Sequence, residues 1–108
     1  MNIQQVQSND IKTFSLAESG VHHSVMNLTK DDSFTGVHNK LFSEGSFTTR
    51  VTLVNEPGTW IIESTGQVGD AGQHTCTVRA TMVKNPQGWK MLSWERVSKS
   101  EMRGRAAT

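Results

Sequence analysis

The stretch SFTTRVTLVN, residues 46–55, alternates Phe47, Thr49, Val51 and Leu53 with Thr48, Arg50, Thr52 and Val54. Successive side chains of a strand point to opposite faces, and β-branched and aromatic residues fit a pleated surface, so this segment reads as a strand. Glu56-Pro57-Gly58 follows with the chemistry of a tight turn: proline presets φ at one central position and glycine accepts a positive φ at the next. The same two-residue period returns three times downstream. TWIIES (59–64) reads as a second strand, QHTCTVRATMVK (73–84) as a third and WKMLSWERV (89–97) as a fourth, with Leu92 and Trp94 on its core face. Gly66–Gly72 and Asn85-Pro86-Gln87-Gly88 are the intervening turns.

Upstream the period changes. Ile3, Val6, Phe14, Ala17, Val21, Val25 and Leu28 share one arc at 100° per residue, which predicts a helix over residues 4–29. Leu16 and Met26 fall outside that arc. Residues 31–45 lack either period and read as a connecting loop. A meander with one apolar face needs a cover, and the helix supplies it. The expected fold is therefore α+β, a long N-terminal helix packed on a four-stranded antiparallel sheet. Its expected core includes Phe14, Val21, Val25, Leu28, Val51, Ile62, Val78 and Leu92.

A chain of 108 residues with 34% hydrophobic and 19% charged residues fits one globular domain, here residues 1–97. Its net charge of +1 divides unevenly: residues 84–108 carry about +4 and the remainder about −3. Residues 98–108 read as a basic, solvated C-terminal tail. Its bases are dilute and no aromatic is interleaved among them, so a nucleic-acid partner is not expected.

The sequence offers little for catalysis or metal binding. His22 and His23 are adjacent and diverge by about 100° on a helix, whereas chelating pairs sit three or four residues apart. His38 and His74 have no acidic neighbour at ligand spacing. The glycines of 66–72 precede an alternating strand, not a helix with a Lys-Ser/Thr start, so they do not make a phosphate loop. Cys76 is the single cysteine; it excludes an internal disulfide and sits in an apolar alternation that suits a small buried hydrophobe. The expectation is a non-enzymatic protein with no catalytic residue, metal, cofactor or small-molecule substrate.

Two separated segments resemble the PilX-type minor pilins. FSLAESGVHHSVMNLTKDDSFTG (14–36) is similar to the family's helix beyond its membrane anchor, through Ala17, Glu18, Gly20, Val21, Val25 and Leu28. GTWIIESTGQVG (58–69), CTVRATMV (76–83) and MLSWERVS (91–98) resemble its sheet, through Ser64, Thr65, Gly66, Arg79, Ser93 and Trp94. The resemblance implies a pilin-like structural subunit, a minor pilin or pseudopilin, of a type IV pilus or related secretion filament (fimbrium). Its partners would be other pilin or minor pilin subunits, with Leu16 and Met26 as the filament interface. It further implies a membrane-anchored protein, either in the bacterial inner membrane with a periplasmic domain or assembled in a pilus at the cell surface. The family's hydrophobic N-terminal helix is missing from this sequence, so on this reading the helix has been shortened and Met1 is an expression start. A helix beside an antiparallel sheet also describes cystatin-like and NTF2-like small-ligand or peptide-binding domains, which would require a cavity of about 300 Å³ or more between the two layers.

Overall fold

The computed structural model describes residues 2–42, 45–54, 58–69 and 74–97, with side chains from Asp10 onward. The chain forms one helix, α1 (Asn2–Lys30), and five strands: β1 (Gly36–Phe42), β2 (Gly45–Leu53), β3 (Thr59–Val68), β4 (His74–Asn85) and β5 (Gly88–Val97). All neighbours are antiparallel and the order is sequential, β1-β2-β3-β4-β5.

The sheet therefore has five strands, and the expectation of a long helix on a four-stranded sheet is overturned. The extra strand lies in the segment read as a loop. β1 escapes detection because it is an edge strand with most of its length in solvent, so no alternation is imposed on GVHNKLF. Its register with β2 shifts between Val37 and Lys40, where Asn39 adopts a φ of +48°. Threonine hydroxyls of β2 replace part of the ladder: Thr49 Oγ1 accepts from Val37 N at 3.1 Å and Thr48 Oγ1 from Asn39 N at 3.0 Å.

The remaining boundaries move for identifiable reasons. Gly66 and its neighbours Gln67 and Val68 belong to β3, not to a glycine loop. The turn before β5 forms as expected: Asn85 Oδ1 accepts from Gln87 N at 2.9 Å, and Gly88 takes a φ of +127° that favours glycine. The turn residues 55–57, the last three residues of the glycine-loop segment (70–72), the first residue expected in the following strand (73) and the basic tail 98–108 lie outside the described residues.

α1 crosses β2, β3 and β4, centred on β3. Strand β3 alternates buried and half-buried residues along nearly its whole length, with Trp60, Ile62, Ser64 and Gly66 turned to the helix. Phe47, Thr49 and Val51 of β2 and Cys76, Val78, Ala80 and Met82 of β4 flank them, and Val21, Ala17 and Leu28 cover them. Of the expected core, Val21, Leu28, Val51, Ile62 and Val78 are buried, while Phe14 and Val25 are half-buried against its margin. Leu92 is 56% exposed. Register explains it: Thr81 pairs with Ser93 and Met82 with Met91, so Leu92 is the extra residue of a β-bulge.

Helix and sheet approach unusually closely along a seam of small residues. Thr13, Ala17, Gly20 and Ser24 face Ser64 and Gly66, all of them buried. A Cβ on Gly66 would collide with the Thr13 carbonyl oxygen and come within 2.8 Å of the Ala17 backbone nitrogen. One on Gly20 would collide with Ser64 Oγ and lie 3.0 Å from Thr49 Cγ2. Among the described residues, ion pairs hold α1 and the chain just after it to the sheet, Asp10 Oδ1 with Arg96 Nη2 at 2.6 Å and Asp32 Oδ2 with Lys84 Nζ at 3.9 Å. In an isolated helix Gly→Ala gains about 1 kcal/mol. Here Gly20→Ala and Gly66→Ala are both expected to lose about 1–3 kcal/mol through overpacking, measured by chemical denaturation; a stabilised Gly20→Ala would show that the seam has slack.

Candidate functional site

The two residues expected to face a filament part company. Met26 is 60% exposed on the side of α1 remote from the sheet. Leu16, expected outside the sheet-facing arc, is 4% exposed and lies over β2 and β3, with its side chain against Gly45 and Gly66. The correction has one cause: the arc drawn through the large apolar residues is centred roughly 60° from the true contact line, which runs through the small seam of Thr13, Gly20 and Ser24. Small residues let the backbones touch, and Leu16 and Val21 then close over the sheet from either side. Leu16→Glu should accordingly unfold the domain, or cost more than about 3 kcal/mol in denaturant titration, by burying a carboxylate.

Among the described residues the exposed large apolar side chains, apart from Leu53 at the end of β2, lie in three places. Ile11 and Met26 lie on the outer side of α1; Leu41 and Phe42 end the edge strand β1; Met91, Leu92 and Trp94 occupy the other edge, β5. At the β5 edge, Trp94 stands edge-on to Phe14 with ring centroids 5.7 Å apart, and the Arg96 guanidinium lies 5.4 Å from the Phe14 ring centre. Sequence pattern placed Leu92 and Trp94 on the core face of this strand; Trp94 does stand on the helix face, opposite Ala80, while the bulge that takes Leu92 out of the core leaves no mark in composition.

The sheet face opposite the helix is polar. Glu63, Arg79 and Glu95 stand in one cross-strand row, with Arg79 3.2 Å from Glu63 and 3.4 Å from Glu95. Thr65 and Thr77 hydroxyls share a hydrogen bond of 2.9 Å beside it. These groups are satisfied by one another and partly solvated, and such pairs contribute on the order of 1 kcal/mol or less each.

Among the described residues no three His, Cys, Asp or Glu side chains converge as metal ligands. His22 is exposed while His23 leans over the sheet between Phe34 and Phe47, at ring distances of 6.2 and 5.7 Å. Burial, with a contribution from the Lys40 charge, pushes the His23 pKa below its ordinary value. Cys76 lies on the helix-facing side of β4; burial raises its pKa, with the Arg96 charge opposing, so the group is a thiol at neutral pH and not an activated nucleophile. At Gly66 helix and sheet are in backbone contact, with the Thr13 carbonyl and the Ala17 nitrogen occupying the space a side chain would need.

No protein-family model, no curated protein and no solved structure matches the chain.

A depressed histidine pKa means that the unfolded chain binds more protons than the folded one below about pH 6.5. The His23 contribution to stability is complete above that pH and is lost as pH falls through the window below it. Urea midpoints measured from pH 7.5 to 5 should fall with acidification, and His23→Gln should flatten that part of the slope; an unchanged slope in the variant would assign it to other groups.

Proposed function

We propose that this chain is the extramembrane part of a minor pilin or pseudopilin, a non-catalytic structural subunit of a type IV pilus or related secretion filament. The observation that carries the reading is a helix seated on its sheet by one side while two apolar residues, about 22 Å apart along its axis, stand exposed on the other. The seated side packs through Ala17, Val21 and Leu28; the other presents Ile11 and Met26 to solvent. A filament subunit uses its helix in that double way, with its own domain on one side and neighbouring helices on the other. The resemblance of residues 14–36, 58–69, 76–83 and 91–98 to PilX-type minor pilins supports the same reading, as does the element order of helix first and meander after. β1 overlaps the segments on which that resemblance rests only at Gly36.

The partners on this reading are other pilin and minor pilin subunits, and attachment to the inner membrane runs through a hydrophobic helix ahead of residue 1, with the domain in the periplasm or on the assembled pilus at the cell surface. Met26 is the interface residue that survives the correction of Leu16. In the membrane-anchored subunit expressed in its own host, Met26→Glu should reduce incorporation into sheared filaments at least about tenfold while leaving the melting temperature of the domain unchanged. Normal incorporation of a folded Met26→Glu subunit would remove this side of α1 from the interface.

A further inference from the structure

β5 is an edge strand, and among the described residues nothing pairs with its outer backbone. Its exposed sequence has a particular symmetry. Lys90, Ser93 and Glu95 stand opposite Val83, Thr81 and Arg79, on the face away from the helix; Met91 and Trp94 stand opposite Met82 and Ala80, on the helix face. In a regular strand Lys90 and Glu95, five residues apart, would occupy opposite faces. The bulge at Leu92 shifts the phase by one residue and puts both charges on the same face, and both large apolar side chains, Met91 and Trp94, on the other.

We propose that two copies of this chain pair through β5, antiparallel, about a two-fold axis between Leu92 and Ser93, joining their sheets into one of ten strands. In that register Lys90 of each copy faces Glu95 of the other and Met91 faces Trp94, each pair occurring twice, with Leu92 beside Ser93. Opposite charges fall together on the polar face, where Lys90 has no ion-pair partner among the described residues. Glu95 is held by a single contact of 3.4 Å to Arg79 with 61% of its side chain exposed. On the other face, methionine sulfur and an indole ring pair favourably. Met91, Leu92 and Trp94, all more than a third exposed in the single chain, become covered.

A bulge on an edge ordinarily blocks strand addition. Here it lies at the proposed axis, so the partner's identical bulge meets it and neither strand has an excess residue. The opposite edge has no such symmetry: β1 pairs irregularly around Asn39 and carries Lys40 with no acidic residue to match it. The contact is isologous and closed, so it makes a dimer and not a fibre. It goes beyond the filament reading and does not depend on it.

Sedimentation velocity tests the pairing. The 108-residue protein should be dimeric at about 100 µM. Lys90→Glu alone and Glu95→Lys alone each put like charges together twice and should weaken self-association at least about tenfold. An equimolar mixture of the two variants restores both opposite-charge pairs and should dimerise like the wild type. A monomeric wild type at that concentration, as expected if the edge instead awaits a strand from another protein, overturns the proposal. So does either folded variant that associates normally, or a mixture of folded variants that stays monomeric. Lys90→Glu disturbs no described contact within the chain, so its loss of self-association decides the matter if Glu95→Lys, which also faces Arg79, melts early.

Discussion

Backbone contact between α1 and β3 is the constraint on which the rest of the molecule depends. Gly20 and Gly66 bring the two layers together at the middle of the sheet, and buried Ser24 and Ser64 add little bulk beside them. With the layers so close, the large apolar residues cannot sit on the line of contact and pack to either side of it. That arrangement buries Leu16 toward β2 and Val21 with Leu28 over β3 and β4. It costs two serine hydroxyls their hydrogen bonds, since neither Ser24 Oγ nor Ser64 Oγ finds a partner among the described residues. It also limits the width of sheet that one helix can cover. β1 and β5 remain outside its shadow, which is why exposed apolar side chains appear at both edges.

The strand segments were legible to the extent that burial was one-sided and regular. Residues 46–53, 59–64 and 74–84 alternate because each strand has one face under the helix and one in water. β5 has the same alternation in its sequence with a bulge hidden inside it, and a phase shift of one residue reverses the face on which Leu92 should fall. β1 had no signal because an exposed edge imposes none. The helix was legible in extent and misread in rotation. Large residues dominate an apolar arc, yet the deepest positions belong to Thr13, Ala17, Gly20 and Ser24, which hydropathy counts weakly or as polar. A reading that weighted small residues at three- and four-residue spacing would have placed Leu16 in the interior.

Surface function was less legible still, because an interface residue and a core residue can share chemistry. Leu16 and Met26 were equivalent as letters, and geometry alone separates them. Leu92, exposed at the β5 edge, looked like core in sequence for the same reason. What the sequence did carry was the complementarity between Lys90 and Glu95, which becomes readable once the bulge puts them on one face.

β1 has a role that its weak packing makes visible. Most of its side chains lie in water, its register is broken at Asn39, and part of its attachment runs through threonine hydroxyls. Few buried contacts and solvent-accessible hydrogen bonds place a segment at the low end of the local-opening scale, so amide protons of β1 should exchange through excursions that leave the helix and the other four strands intact. During each excursion β2 becomes the temporary border of the sheet. The strand is in this sense a guard that yields first, and its irregular backbone keeps the guard itself from becoming a template for neighbouring chains.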